Sequence, residues 1–382
     1  MPPPIPLQPA TPGTTQSAGQ RIDEGKGRTF PCGQCGADLK FSIGQQKLQC
    51  EFCGWTKELQ LDETATVHEE DFRAMLSRLA ESRAKGKVDQ VGTSEVRCDS
   101  CGATVVFTGT LTSSECACCG SPVQREKVYD ATGRVPVDGV LPFLVEQTQA
   151  QENLRQWIHS RWFAPNEFRQ RGVSGRFNGI YLPFWTYDTM TFNRYTGQRG
   201  EHYTVEEGTG ENKRTVTHTR WWPVSGSFQR FFDDVLVCAA TGVPLELLLS
   251  LEPWPIVKCL PFNQQVLAGF LAQTYAVPLD QGFQEAKARI EAAIEIDVRQ
   301  RIGGDEQQID SINTRYDAIS YKHLLLPVWL LAYRYSEKTY RVVVNASTGE
   351  VQGERPYSWV KITLTVLTVA ALVATAILIF SR

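Results

Sequence analysis

A repeated cysteine spacing, a repeated Leu-Pro-aromatic series and one long uncharged run predict an α+β chain with two metal-stapled ribbons, a duplicated α+β sheet domain and one C-terminal transmembrane helix. Cys32, Cys35, Cys50 and Cys53 read CxxC, fourteen residues, CxxC, and Cys98, Cys101, Cys116 and Cys119 repeat that spacing. Leu141-Pro142-Phe143 and Tyr181-Leu182-Pro183-Phe184-Trp185 in one half are answered by Leu260-Pro261-Phe262 and Leu325-Leu326-Pro327-Val328-Trp329 in the other. From Ile362 to Ser381 twenty residues carry no charge.

The first 28 residues are rich in Pro, Gly, Gln, Ser and Thr and have no apolar core of signal-peptide type, so they read as a disordered leader. Residues 29–60 form the first ribbon. Two CxxC pairs at this separation let four thiolates close a tetrahedron on one Zn²⁺, with Zn–S bonds of about 2.3 Å. Such a unit is too small to fold on apolar burial, and metal binding supplies on the order of 10 kcal/mol of its folding free energy. Four thiolates leave no coordination position open for water or substrate, so the two expected zinc ions are structural. Disulfides would need an exporting signal, and none is visible.

Residues 61–92 are a helical spacer: Phe72, Met75, Leu76 and Leu79 recur at three and four residues, with acids early and bases late. Residues 93–128 repeat the ribbon, with CGAD and Phe41 answered by CGAT and Phe107, and Gly54 by Gly120. In the CACC run Cys118 competes with Cys119 for the fourth position. The CxxC register and Gly120 favour Cys119, and the choice stays open.

Two related α+β modules follow, at 129–258 and 259–356. Each opens on Leu-Pro-Phe and holds a helical stretch, Glu152 to Phe168 in the first and Gln281 to Arg301 in the second. In the second, Phe283, Ala286, Ile290, Ala293 and Ile294 share one face. Each then runs through its Leu-Pro-x-aromatic motif into alternating Tyr-rich sequence with a Thr-Gly turn, Thr196-Gly197 and Thr348-Gly349. The segment from Arg214 to Ala239 alternates like a meander, and the one from Thr339 to Gly353 like a strand, a turn and a strand. The aromatics of these motifs are assigned to the core, with Trp221 and Trp222 as candidate surface anchors.

Residues 361–381 are the transmembrane helix: at 1.5 Å per residue the uncharged run spans about 30 Å, the thickness of a bilayer core. Four Thr are placed to bond back to their own helix, and Tyr357 and Trp359 stand at the interface. Arg355 and Lys361 before the span, together with reduced cysteines, place the bulk of the chain in the cytoplasm, as a tail-anchored protein.

The net charge of −3 excludes no class by itself. The five His are scattered, and there is no HExxH, GxSxG, Walker or dinucleotide motif, so no catalytic residue is assigned. Asp233 and Asp234 read as a solvated turn, and Cys238 and Cys259 as packing residues without the basic neighbours a nucleophilic thiol needs. Phosphate binding demands clustered bases, yet Lys40, Lys47 and Lys57 face Asp38 and Glu51 in the first ribbon, and Arg97, Arg125 and Lys127 face Asp99, Glu115 and Glu126 in the second. These near-neutral surfaces argue against nucleic acid.

The paired ribbons, the LPF and YLPFW motifs, the LPVWLLAYRY stretch and the VNASTGEV turn together resemble a group of bacterial zinc-ribbon membrane proteins. Those proteins are often labelled TFIIB-type zinc-ribbon proteins or relatives of primosomal protein N′, a helicase, although this chain has no Walker motif. The likeness covers residues 30 to 380. It implies membrane partners of the SPFH and phage-shock type, acting in membrane stress; a single C-terminal span is where this chain departs from those relatives. The expectation is a non-enzymatic, membrane-anchored zinc-ribbon adaptor that docks a protein partner, with a membrane-tethered nucleic-acid-binding factor of replication or transcription as the alternative.

Overall fold

The computed structural model describes residues 30, 32–37, 39–59, 66–84, 93–98, 102–108, 113–115, 122–124, 128–129, 135–166, 176–208, 213–335 and 338–380. The leader at 1–28 lies outside them, as do Cys101, Cys116, Cys118 and Cys119.

The chain begins with a three-stranded antiparallel sheet of β1 (Leu39–Ser42), β2 (Lys47–Cys50) and β3 (Thr56–Glu58). Strand β4 (Glu70–Asp71) and helix α1 (Phe72–Ala84) follow, the Asp71 carboxylate capping the helix by accepting from the Ala74 N–H at 2.6 Å. Strands β5 (Thr93–Arg97), β6 (Thr104–Thr108), β7 (Ser113–Glu115), β8 (Pro122–Gln124) and β9 (Val128–Tyr129) make a second small β unit, in which β5 pairs with β6 and β9, and β7 with β8.

The body is a mixed α+β unit built on one large sheet. Its elements are β10 (Gly139–Val140), α2 (Gln147–Ser160), β11 (Arg176–Glu207), β12 (Arg214–Cys238), α3 (Leu245–Leu249), β13 (Leu260–Pro261), β14 (Leu271–Ala272), α4 (Leu279–Ile302), β15 (Glu306–Tyr335), β16 (Lys338–Asn345) and β17 (Val351–Gly353). The sheet order is β12-β11-β15-β10-β13, with β4 and β16 also on β15, β17 on β16, and β14 on β11. Strand β11, at 32 residues, would span about 100 Å if straight. Helix α4 covers its middle, turning Phe283, Ala286, Ile290, Ile294, Val298 and Ile302 onto the sheet.

Several backbone and indole hydrogen bonds recur in the two halves. Strands β11 and β15 run antiparallel with Leu182 opposite Leu326, the Leu of each Leu-Pro motif, so a pseudo-two-fold passes through that pair. Trp185 donates its indole N–H to the Val277 carbonyl, and Trp329 donates to the Val145 carbonyl, both at 2.9 Å. Val145 and Val277 each precede the N-cap of a helix, Glu146 of α2 and Pro278 of α4. Each Trp therefore anchors the helix start of the opposite half. The Pro183 carbonyl accepts from Ala239 N–H and the Pro327 carbonyl from Ala346 N–H. Ala239 and Ala346 in turn accept from residues 276 and 277 and from 144 and 145.

This correspondence corrects three readings. The partner of Leu141-Pro142-Phe143 is Gln273-Thr274-Tyr275, not Leu260-Pro261-Phe262. Leu141 N–H donates to the Leu325 carbonyl as Gln273 N–H does to that of Tyr181, and Phe143 lies 5.0 Å from Trp329 as Tyr275 lies 4.9 Å from Trp185. Leu260-Pro261 instead pairs antiparallel with β10, and Phe262 is partly exposed. The Thr-Gly turn of the first half is Thr241-Gly242, where Gly242 has φ 88° beside 81° at Gly349. Thr196-Gly197 lies inside β11, where a Cβ on Gly197 would sit 2.4 Å from the Gln308 carbonyl oxygen, so glycine is kept for close approach. Arg214 to Cys238 is one unbroken edge strand rather than a meander: Pro223 is tolerated there because an edge position need not donate to a neighbour.

The Leu-Pro-x-aromatic residues of both long strands are buried, α1 seats Phe72 and Met75 against Tyr187 and Phe283, and Trp221 and Trp222 are exposed. The first-half helix lies earlier than expected, at Gln147–Ser160.

Helix α5 (Trp359–Phe380) is 22 residues, about 33 Å, and none of its most apolar stretch is buried against the rest of the protein. It is long and apolar enough to cross a membrane. Thr365, Thr368 and Thr375 donate their hydroxyls to carbonyls four residues back, so these polar groups are satisfied within the helix itself.

The exchanged indole bonds generate a prediction. Trp185→Phe and Trp329→Phe each leave a shielded carbonyl without its donor, costing about 1–3 kcal/mol. Because each bond ties one half to the other, both variants should lower a single unfolding transition seen alike by near-UV and far-UV circular dichroism. Two separated transitions would refute the interlocked arrangement.

Candidate metal centre

The sulfurs of Cys32, Cys35, Cys50 and Cys53 lie within 4.8 Å of one another, with Cys32–Cys53 and Cys35–Cys50 each at 3.5 Å. A tetrahedron of 2.3 Å Zn–S bonds has edges of about 3.8 Å, so the cluster is of the size that zinc requires. Cys32 and Cys50 are buried, whereas Cys35 and Cys53 face outward.

Backbone geometry builds each half of the cluster. Cys32 N–H donates to the Ala37 carbonyl, and Gly36 N–H donates back to the Cys32 carbonyl; Cys50 repeats both bonds with Trp55 and Gly54. The loop closes because Gly36 and Gly54 take φ of 70° and 75°, a conformation that favours glycine. Amides inside the loops then point at sulfur, Gln34 N–H lying 3.4 Å from Cys32 Sγ. Burial raises the Cys32 thiol pKa, but the Cys35 and Gln34 amides outweigh it and hold the thiol down at about 7. The Cys53 amide likewise lowers Cys50. Cys53 goes the other way: the Trp55 amide lowers it, but burial and the neighbouring sulfurs outweigh that and push the thiol up to about 12, so a metal binding there must displace its proton.

Of the second cassette, Cys98 is described and buried, and its backbone makes the same loop. Cys98 N–H donates to Ala103, Gly102 N–H donates to Cys98, and Gly102 has φ 74°. The other expected ligands, Cys101, Cys116 and Cys119, and their competitor Cys118, lie outside the described residues.

The first ribbon is wedged into the body. Leu39, Phe41 and Leu48 share an apolar cluster with Phe143, Val266, Ala268 and Trp329, and Phe41 N–H donates to the Ala268 carbonyl at 3.0 Å. Its tip is held too, because Gln46 Nε2 donates to the carbonyls of Ile43 and Phe143. The exposed part of the ribbon is the metal end, where Phe52, between Cys50 and Cys53, is 83% exposed.

A second group with ligand atoms, Glu69, Asp188 and Asp233, lies at a bulge in β12, where Asp233 and Asp234 together oppose Asp188. Lys322 already occupies its neighbourhood, 2.8 Å from Asp234, 3.4 Å from Glu69 and 3.8 Å from Asp188. Burial, then the Glu69 carboxyl, pushes the Asp188 carboxyl up to about 7, so the pair shares a proton. This is an ion cluster around Lys322 that ties Glu69, next to β4, to the sheet, and Asp234 belongs to it instead of lying in a solvated turn. Its residues were invisible as a group in sequence, since 69, 188, 234 and 322 meet only through the sheet. Beside it a cleft of about 510 Å³ is lined by Gln46, Val67, Leu144, Asp234, Cys259 and Lys322. Burial pushes the Cys259 and Cys238 thiols up to about 12, opposite to what a nucleophile needs.

Comparison with known proteins adds one relative. The chain is similar to the uncharacterized protein YdjG of Bacillus subtilis (strain 168). The two are 24% identical over 335 residues, which cover 86% of this chain and 90% of that protein. No protein-family model matches the chain, and no solved structure matches it.

Removing a ligand tests the centre. Cys32→Ser should lower bound zinc by one ion per chain in elemental analysis of anaerobically purified protein. It should also lower the unfolding midpoint of the body, because the ribbon supplies part of the body's apolar cluster; an unchanged midpoint would show that the wedge contributes nothing.

A pH dependence follows from Asp138, whose carboxylate accepts from His323 N–H at 2.7 Å. Burial pushes it up to about 6, against an ordinary value of about 3.9. The folded chain therefore holds this proton more tightly than the unfolded one, and this contribution to stability is lost as pH rises from about 4 through about 6. Asp138→Asn keeps the acceptor oxygen and removes the titration. Its stability relative to wild type should rise across that window and stay level above it in denaturant unfolding.

Proposed function

We propose that this chain is a non-enzymatic, membrane-anchored adaptor whose zinc ribbons dock a protein partner at the cytoplasmic face of a membrane. The observation that carries this reading is the closed four-cysteine cluster with an exposed Phe52 at its rim. Four thiolates fill a tetrahedral ion, which leaves zinc a structural role, and an aromatic ring held out by a rigid metal loop suits a protein interface. The Cys98 loop supports a second structural zinc on Cys98, Cys101, Cys116 and Cys119. The repeated hydrogen bonds of the body support a duplicated α+β domain as the platform for both ribbons.

The resemblance to bacterial TFIIB-type zinc-ribbon membrane proteins supports an SPFH-type or phage-shock-type membrane protein as the partner, in membrane-stress response. The docking surface is the metal end of the first ribbon rather than its tip, since Gln46 is spent on the body. Arg355 and Lys361 before the span support a cytoplasmic body.

Full-length protein purified in mild detergent should bring a stoichiometric membrane-protein partner. Phe52→Ala should lose that partner while keeping two zinc ions. Retention of the partner by Phe52→Ala would move the interface elsewhere. Micromolar affinity for duplex DNA that weakens steeply with salt, and is lost in Lys40→Ala with Lys47→Ala, would replace the adaptor by a nucleic-acid-binding factor.

A further inference from the structure

The start of α5 is bolted to a loop of the body almost two hundred residues earlier in sequence. Lys361 Nζ donates to the carbonyls of Trp162 and Ala164 and to Asn166 Oδ1, at 3.2, 2.8 and 2.9 Å. Ser358 N–H donates to the Phe163 carbonyl at 2.8 Å. All three ammonium protons of Lys361 are thereby spent on the protein, and the loop is fixed at the depth of the last charge before the uncharged run.

What that loop presents is unusual for a surface facing water. Trp162 is 67% exposed, and across the junction Tyr357 and Trp359 are 56% and 79% exposed. Trp and Tyr concentrate at the headgroup level of membranes, where an apolar ring with a polar edge meets both phases. Two cations accompany them. Arg161 lies over the Trp157 ring at 4.8 Å, and Arg355 over the Tyr357 ring at 5.2 Å. Among the described residues neither has an ion-pair partner, and Arg161 Nε, shielded from solvent, has no hydrogen-bond acceptor. Burial and then the nearby positive charge of Arg355 lower the Arg161 pKa, so the pair is electrostatically short of an anion.

We propose that residues 161–166 are a membrane seat: Trp162 beds in the headgroup layer beside Tyr357 and Trp359, and Arg161 with Arg355 binds phospholipid phosphate. The proposal rests on α5 spanning the bilayer. It adds a second contact, made by the body itself, which holds the sheet at a set height and angle instead of leaving it on a swivel. A lone span would give no such constraint, and an interfacial aromatic cluster with two cations adds electrostatic attraction to anionic lipid.

The test uses the full-length protein in vesicles of phosphatidylglycerol and phosphatidylethanolamine. Benzoylphenylalanine replaces Trp162, Trp222 or Leu372 in turn, and ultraviolet-induced lipid adducts are read by mass spectrometry. Strong adducts at 372 and at 162, with several-fold less at 222, support the seat. Adducts at 372 with none at 162, or with protein crosslinks only at 162, overturn the seat and leave the span. Absence of adducts at 372 overturns the span, and the seat with it. Arg161→Gln combined with Arg355→Gln should reduce phosphatidylglycerol adducts at 162 several-fold; no change would remove the phosphate contact from the proposal.

Discussion

The antiparallel pairing of β11 with β15 about Leu182 and Leu326 is the constraint on which the remaining structure depends. Every symmetric feature radiates from it. The two Trp side chains, three residues beyond those leucines, reach across to carbonyls at 277 and 145, and the two Pro carbonyls one residue beyond the leucines receive Ala239 and Ala346. A register slip of one residue would turn both strands' apolar sets to the wrong face and would break both indole bonds at once. The halves therefore specify each other, and each helix start is placed by the opposite half rather than by its own side-chain cap, for neither Glu146 nor Pro278 makes one.

The metal centre draws on the same frame. Phe143 packs against Trp329 and also supplies the carbonyl that Gln46 holds, so the residue beside one exchanged indole bond is also the floor on which the first ribbon rests. At the cysteine end only Cys32 and Cys50 are buried in the shared cluster, and Cys35, Cys53 and Phe52 stay exposed. A β unit wedged into the body at one end and closed at the other by hydrogen-bonded cysteine loops holds Phe52 out on a fixed backbone.

The cysteine spacing made the ribbon legible because metal coordination is local: ligand distances, loop glycines and knuckle hydrogen bonds all fall within twenty-two residues. The long span was legible for a related reason, since bilayer thickness translates directly into a count of apolar residues. The repeat was harder to read. Identical letters misled, Leu260-Pro261-Phe262 matching Leu141-Pro142-Phe143 in composition while the position that shares its hydrogen bonds is Gln273-Thr274-Tyr275. Backbone pairing is blind to side-chain identity, so a segment can keep its place in the sheet while losing its letters. Long-range charge clusters such as Glu69, Asp188, Asp234 and Lys322 leave no local pattern at all, and the length of β12 was hidden by a proline that an edge strand tolerates.

One apolar cluster joins the first ribbon to helix α2. It contains the clustered cysteines Cys32 and Cys50, the ribbon residues Leu39, Phe41 and Leu48, and, on α2, Ala150, Leu154 and Ile158. Ile158 stands three residues before Arg161, where the loop that grips Lys361 begins. Side chains in a close-packed cluster transmit displacement because they have few vacant positions to relax into. The first ribbon and α2, which leads into the loop at the base of α5, thus share one packed cluster.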